Sequence, residues 1–181
     1  MNNGSTTTNL SFVTRFFHWL IALAIIGMLI FGFLLDDFKE YSGLHKSIGA
    51  IIFVVATCRI LWRIKEGWPT PVNMGVPQWN LTLAKVTHWI LILLTVLLPL
   101  SGMCMSVAAG RGLNVFGAEI FASNIVDGKA VALNPSLAGF ANDMHETLPV
   151  VLIIMLVLHI VGALYHHVVL KDRTLSRMMG H

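Results

Sequence analysis

The chain has 181 residues, of which 56% are hydrophobic and only 12% are charged, whereas about a quarter of the residues in an ordinary soluble domain are charged. This composition, together with a mean hydropathy of +0.76, excludes a typical water-soluble globular protein. It indicates a single membrane domain over residues 1–181, in contact with lipid. The net charge of +3 comes without a basic stripe interleaved with aromatic residues, which argues against nucleic-acid binding. No C-x-x-C-H motif is present, so covalent c-type haem attachment is excluded.

Four apolar stretches follow one another along the chain, and each approaches or exceeds the roughly 20 residues that an α-helix needs to cross a bilayer. They predict an all-α fold, a four-helix transmembrane bundle with helices at approximately 14–35, 44–64, 82–107 and 144–170. The first stretch is too long for a signal-peptide core and is followed by "DDFKE", not by a small-residue cleavage site. We therefore expect it to be a retained helix.

The connecting segments differ in length and composition. The N-terminal residues 1–10 are polar and expected to be disordered or interfacial, and the first outer loop, 36–43, is short. The link "KEGWPTPVNMGVPQWN" is rich in proline and tryptophan, which is typical of an interfacial turn. The outer loop 108–143 is long for so small a protein, and long loops are often functional. Within it, "NPSLAGFANDMHE" is expected to form a short surface helix.

Lysine and arginine positions predict the orientation, because cytoplasmic segments carry an excess of these residues. Eight flank one set of helix ends: Arg15, Arg59, Arg63, Lys65, Lys85, Lys171, Arg173 and Arg177. Four lie on the other side: Lys39, Lys46, Arg111 and Lys129. Both termini are therefore predicted to be cytoplasmic, in a multi-pass protein of a bacterial inner membrane.

Histidines recur at matched depths inside these apolar helices, although a polar ring in such a segment costs free energy unless something satisfies it. His145 and His159 are 14 residues apart, so they lie on one helix face, ~40° apart in azimuth and ~21 Å apart along the axis. His45 begins the second helix at the level of His145. His18 lies about 25 Å inward from the outer end of the first helix, close to the depth of His159. Depth thus pairs His18 with His159 and His45 with His145.

Two facing neutral imidazoles suit a six-coordinate haem iron, which carries electrons and has no free axial position for oxygen. His88 is a rival ligand for the inner pair, because its depth is close to that of His18. His166 and His167 are expected at the cytoplasmic interface, and His181 in a solvated tail. A metal or proton transporter that uses histidines without haem is less favoured, since transporter sites usually lie near the bilayer midplane.

Several motifs, taken in order and spacing, resemble the bacterial cytochrome b561 family of four-helix, dihaem membrane cytochromes. The resemblance covers about residues 14–179 and rests on "RFFHWL", "GLHKSIG", "GRGLNVFG", "HETL", the "LH" 14 residues beyond His145, and "YHHVVLKDRTLSRMM". It implies two haems b per chain. His18 and His159 would ligate one on the cytoplasmic side, and His45 and His145 the other on the periplasmic side.

The resemblance also implies transmembrane electron transfer linked to quinone, with ubiquinone as substrate. Superoxide:quinone oxidoreductase is one activity found among similar proteins. A haem-bearing subunit that exchanges electrons with a separate periplasmic redox partner, docked on the long outer loop, is the alternative function. The residues around His166 are candidates for a quinone pocket, and plain interfacial solvation is the alternative for that histidine.

Basic residues near the predicted haems are candidates to neutralise propionates: Arg15 and Arg59 on the inner side, and Lys46 on the outer side. Lys46, Arg111 and Lys129 could also attract a superoxide anion, although acidic residues on the same side oppose this.

Overall fold

Four long helices make up most of the described part of the protein. The computed structural model describes residues 10–35, 38–68 and 77–180. The helices are α1 (Phe12–Leu34), α2 (Ser42–Glu66, after a short 3-10 helix Lys39–Tyr41), α3 (Gln78–Ala108), α4 (Pro135–Val168) and the short α5 (Thr174–Met179). Helices α1 to α4 are each long and apolar enough to cross a membrane, which confirms the predicted fold class. The predictions for residues 1–9, 36–37, 69–76 and for His181 lie outside the described residues.

Helix α4 begins earlier than the sequence suggests. The side-chain oxygen of Asn134 accepts a hydrogen bond from the N–H of Leu137 at 3.1 Å, and Pro135 occupies the first helical position. Asn at the N-cap and Pro just after it are both favourable at a helix start. The segment expected as a separate surface helix is therefore the beginning of α4, and the connection predicted at 108–143 is correspondingly shorter. Pro149 lies within α4.

The connection between α3 and α4 contains β-structure that the sequence analysis did not predict. It forms two antiparallel hairpins, β1 (Leu113–Val115) with β2 (Ala118–Phe121) and β3 (Ile125–Val126) with β4 (Lys129–Ala130). Both hairpins turn through two residues of positive φ: Phe116 and Gly117 in one, and Asp127 and Gly128 in the other. This is the conformation that tight hairpins need, and Asp-Gly is one of its sequence signals. The overlooked signal was thus "VDGK".

The helices pack in chain order, α1 on α2, α2 on α3 and α3 on α4, with the last contact the most extensive. The buried apolar core consists of Ile21, Ile25, Ile52, Ala56, Leu94 and Leu152. Leu152 is midway along the chain between His145 and His159. The core therefore fills the middle of the bundle, between the two histidine levels.

The start of α1 and the end of the described chain lie at the same end of the bundle. The indole N–H of Trp19 donates to the carbonyl of Met178 at 3.2 Å. At this end the buried Thr14 hydroxyl also bonds Glu66, and it accepts from Arg63 at 2.6 Å. We call this the termini end, and the opposite end, which carries the β-hairpins, the hairpin end.

Candidate functional site

The hairpin end brings His45 of α2 and His145 of α4 together. Their ring centroids are 6.1 Å apart, with the planes at 87°. The Nδ1 atom of His145 lies 3.0 Å from the carbonyl of Leu98 and 3.1 Å from the hydroxyl of Ser101. Because a carbonyl can only accept, Nδ1 carries the proton, and Nε2 of a neutral ring keeps its lone pair. This is the tautomer in which Nε2 can ligate a metal.

Two glycines lie against the imidazoles at this end. A Cβ added at Gly102 would lie 2.7 Å from Cε1 of His145, whereas one added at Gly32 would lie 3.5 Å from Cε1 of His45. The Nδ1 atom of His45 is buried and has no hydrogen-bond partner among the described residues. An unsatisfied buried polar atom costs about 1–3 kcal/mol, so an external group that bonded this nitrogen would stabilise the pair.

The termini end holds the second pair, His18 of α1 and His159 of α4, with ring centroids also 6.1 Å apart and planes at 56°. Arg59 lies beside them, with Nη2 3.2 Å from Nδ1 of His18. A third imidazole, that of His88 on α3, lies 5.0 Å from the ring of His159 at 88°. The sequence-based pairing by depth thus corresponds to two ring pairs in space, with His88 adjacent to one of them.

The spacing of both pairs fits a metal bound between two rings. A histidine nitrogen lies about 2 Å from the metal that it ligates, so the centroids of rings on opposite sides of one metal are ~6 Å apart. His88 and His159, at 5.0 Å, are too close to serve as such a pair. Within residues 10–35, 38–68 and 77–180, no group of three or more His, Cys, Asp or Glu side chains could hold a metal ion. A haem supplies its own macrocycle nitrogens and needs only two protein ligands, so the pairs fit a haem.

An apolar four-helix bundle with a histidine pair near each end is the architecture of a membrane cytochrome. The chain belongs to the prokaryotic cytochrome b561 family, whose model matches residues 9–181. It is 32% identical to "Cytochrome b561 homolog 2" of Escherichia coli K12 over 187 residues, covering 99% of this chain and 96% of that protein. It is also 32% identical to "Probable superoxide oxidase CybB" of Yersinia pestis over 168 residues, covering 90% of each chain. "Cytochrome b561 homolog 1" of E. coli K12 is 25% identical over 135 residues, covering 75% of this chain and 72% of that protein.

Membership of this family makes the chain a multi-pass membrane protein that uses b-type haem for electron transfer. The four-helix prediction and the family resemblance are thereby confirmed.

The predicted propionate partners lie at different places. Arg59 contacts His18 directly. Arg15 lies against the end of α5, because a Cβ on Gly180 would collide with its guanidinium group. At the hairpin end, Lys46 is close enough to Arg111 for their charges to interact. Arg59 is thus the inner candidate nearest to a predicted ligand.

His166 lies in a polar junction at the termini end and is already bonded through both ring nitrogens. Its Nδ1 is 2.5 Å from Oδ2 of Asp172, and its Nε2 is 3.1 Å from Oδ1 of Asn80. Burial acts to raise the pKa of Asp172, but hydrogen bonds from His166 and Thr174 outweigh it and hold that pKa below its usual value. A quinone carbonyl would have to displace one of these partners in order to bond His166.

Sequence reasoning missed the residues that hold the histidines in place. The Leu98 carbonyl and Ser101 orient His145, and Asn80 reaches His166 across 86 residues of chain. No local pattern indicates such contacts, because they depend on which helix faces are packed together. A glycine within an apolar helix, such as Gly102 in the last two turns of α3, was an available signal of a close approach.

Proposed function

We propose that this protein transfers electrons across the membrane between two b-type haems, one held by His45 and His145 and the other by His18 and His159. One observation carries the proposal: two imidazole pairs have the same 6.1 Å centroid separation at opposite ends of one bundle. The pairs share α4, and their positions on it, 14 residues apart, correspond to a rise of ~21 Å. Such a separation suits two cofactors in series across most of a hydrocarbon core.

A bis-histidine haem supplies one-electron transfer without a free axial position for oxygen. The chain contributes orientation and exclusion of water. The Leu98 carbonyl fixes the proton of His145 on Nδ1, and the apolar core around Leu152 separates the two levels. With the termini end cytoplasmic, as the charge distribution favours, the hairpin end faces the periplasm of a bacterial inner membrane.

We place quinone exchange at the termini end, in a cleft between the start of α1 and α5. The cleft is lined by Phe12, Arg15, Phe16, Trp19, Met178, Met179 and Gly180. The ring of Trp19 lies 5.5 Å from the ring of His18. Aromatic and methionine side chains suit an apolar ring, and the Arg15 guanidinium can donate a hydrogen bond to a quinone carbonyl. This cleft is favoured over a pocket at His166, whose nitrogens are engaged by Asn80 and Asp172.

Superoxide is the candidate electron donor at the hairpin end, since the Yersinia relative is named a probable superoxide oxidase. Two superoxide anions would each lose one electron to become oxygen, and one quinone would take both electrons and two protons to become quinol. The observation in favour is that Lys46, which follows His45 in the chain, is close enough to Arg111 for their charges to interact, because clustered positive charge raises the local concentration of an anion. Glu119 and Asp127, in the same connection between α3 and α4, carry the opposite charge.

A separate redox partner is the second candidate, and the exposed apolar surface of the hairpins favours it. Four apolar residues of this surface are each more than half exposed: Ile120, Phe121, Ile125 and Val126. Exposed apolar patches of this kind often mark protein or membrane contacts. In that case, electrons would pass between the hairpin-end haem and a protein docked on β2 and β3.

The test uses the purified protein in lipid nanodiscs. The haem-to-protein ratio is measured first, followed by reduction with superoxide and with an artificial donor, and then by stopped-flow reoxidation with a ubiquinone analogue. We expect Arg15→Gln to retain both haems and to slow reoxidation by quinone at least tenfold, with unchanged reduction by the artificial donor. Lys85→Gln, at an exposed cation of the same end, is the matched control.

His166→Leu distinguishes the two quinone locations. If this variant, but not Arg15→Gln, slows reoxidation while both haems remain, the site is at His166 and the cleft assignment is wrong. Fewer than two haems in a fully loaded wild-type preparation would refute the two-site proposal itself. Reduction by a purified periplasmic protein, but not by superoxide, would favour the second candidate function.

A further inference from the structure

The two proposed ligands on α4 are held in different ways. His145 is oriented by the Leu98 carbonyl and the Ser101 hydroxyl. No hydrogen bond of the His159 ring is found within the described part of the chain. Its ring instead contacts the rings of His18 and His88. A ligating histidine almost always donates its second ring N–H to an acceptor, which fixes the tautomer and the ring orientation. His159 therefore needs an acceptor from its surroundings.

His88 is itself firmly placed. Its Nδ1 lies 2.6 Å from the carbonyl of Ala84, one turn earlier on α3. The carbonyl can only accept, so the proton of a neutral His88 ring is on Nδ1 and the lone pair is on Nε2. The ring lies edge-on to His159, with centroids 5.0 Å apart and planes at 88°. An anchored acceptor thus lies in contact with the unanchored imidazole.

Arg59, a polar neighbour at this level, cannot supply the acceptor. Arg59 lies near the pair, but a guanidinium group only donates hydrogen bonds. His18 is the other proposed ligand of the same haem, which would engage its lone pair, so it is excluded from this role. Of the two imidazoles that contact His159, His88 is the one whose lone pair remains available.

We propose that His88 is the positioning residue of His159: its Nε2 accepts a hydrogen bond from the second ring nitrogen of His159 and fixes the plane of that ring. His88 thereby has the role at the termini end that the Leu98 carbonyl has at the hairpin end. The inference rests on the proposed function, because it takes His159 as an axial ligand. It assigns no ligand role to His88, since 5.0 Å is too short for rings on opposite sides of one metal.

The test compares three substitutions at His88, which is an exposed position on α3, so that the fold should tolerate each of them. His88→Ala removes both the ring and the acceptor, His88→Phe keeps a ring without an acceptor, and His88→Gln replaces the acceptor with an amide oxygen. Val86→Ala, at a neighbouring exposed position, is the matched control. The readouts are the low-spin electron paramagnetic resonance signal and the midpoint potential of each haem.

We expect His88→Ala and His88→Phe to shift the ferric signal of the termini-end haem and to raise its midpoint potential, because a ligand that donates no hydrogen bond is a weaker base. His88→Gln should restore both values towards wild type, and the hairpin-end haem should be unchanged in all three variants. A wild-type spectrum for His88→Phe would overturn the hydrogen-bond assignment.

Two further outcomes separate this inference from the proposed function. A high-spin or absent termini-end haem in His88→Ala, together with a low-spin one in His18→Ala, would make His88 a ligand and would overturn the inference. A wild-type protein without a low-spin haem at the termini end would instead refute the proposed function. In that case, the inference about His88 would fail with it, because there would be no ligating ring for His88 to position.

Discussion

Replacement of Gly102 by alanine tests whether the hairpin-end pair requires the observed position of His145. The new Cβ would lie 2.7 Å from Cε1 of His145 and 3.1 Å from its Nδ1. Carbon atoms normally approach to about 3.5–4.0 Å, so the ring must retreat from α3 by ~1 Å. Its Nδ1 is now 3.0 Å from the Leu98 carbonyl, which is also on α3. The same retreat would therefore break this hydrogen bond.

The magnitude can be estimated from two contributions. The lost hydrogen bond costs about 1 kcal/mol. The displacement of ~1 Å is several times the tolerance of roughly 0.2 Å for metal–ligand distances, so the ring can no longer serve a metal shared with His45 in the present geometry. Alanine stabilises a helix interior by roughly 0.5–1 kcal/mol relative to glycine. Loss of haem therefore could not be attributed to weakening of α3.

The assay measures the ratio of haem to protein and the reduced-minus-oxidised spectrum. We expect Gly102→Ala to lose the hairpin-end low-spin haem, or to convert it to a high-spin form, while the termini-end haem remains. Gly32→Ala is the matched control, because its Cβ would lie at an ordinary contact distance of 3.5 Å from Cε1 of His45. Wild-type haem content and spectrum in Gly102→Ala would refute the reasoning.

Three further predictions address the ligands, the core and the polar junction. Each of the paired histidines is replaced singly by alanine: His18, His45, His145 and His159. Each substitution should remove one haem and so halve the haem content. Loss of both haems, or of neither, would contradict the pairing. Because Leu152 is only 1% exposed, Leu152→Ala should lower the free energy of unfolding by about 2–5 kcal/mol. The change is measured by denaturation in detergent. A change below about 1 kcal/mol would contradict this and show that neighbouring side chains fill the cavity. The pKa of Asp172 is depressed in the folded protein. The ionised Asp172 carboxylate therefore stabilises the fold at any pH above its unfolded pKa of about 3.9. This stabilisation is lost as the pH falls through the lower pKa of the folded state. Amide hydrogen exchange of α5 should therefore accelerate in strong acid in the wild-type protein. In Asp172→Asn it should already be faster at neutral pH. Equal exchange in wild type and Asp172→Asn at neutral pH would contradict this.

The sequence by itself determined the membrane class, the four long helices and the repeated depth of the histidines. These features are local: an apolar run of about 20 residues spans a bilayer wherever it occurs, and helical periodicity fixes which residues share a face. His145 and His159 could therefore be assigned to one face of α4 without knowledge of any other helix. The depth of His18 made it the predicted partner of His159, with His88 as a rival of similar depth.

The tertiary structure decided what surrounds each imidazole. The Leu98 carbonyl at His145, the edge-on ring of His88 at His159, and the engagement of His166 by Asn80 and Asp172 all depend on how neighbouring helices are rotated and shifted against each other. Rotation and shift follow from packing along the whole length of α3 and α4, in which no single residue type carries the information. The hairpin β1–β2 also depends on a tertiary contact, since the hydroxyl of Ser47 on α2 accepts the N–H of Phe116 at its turn.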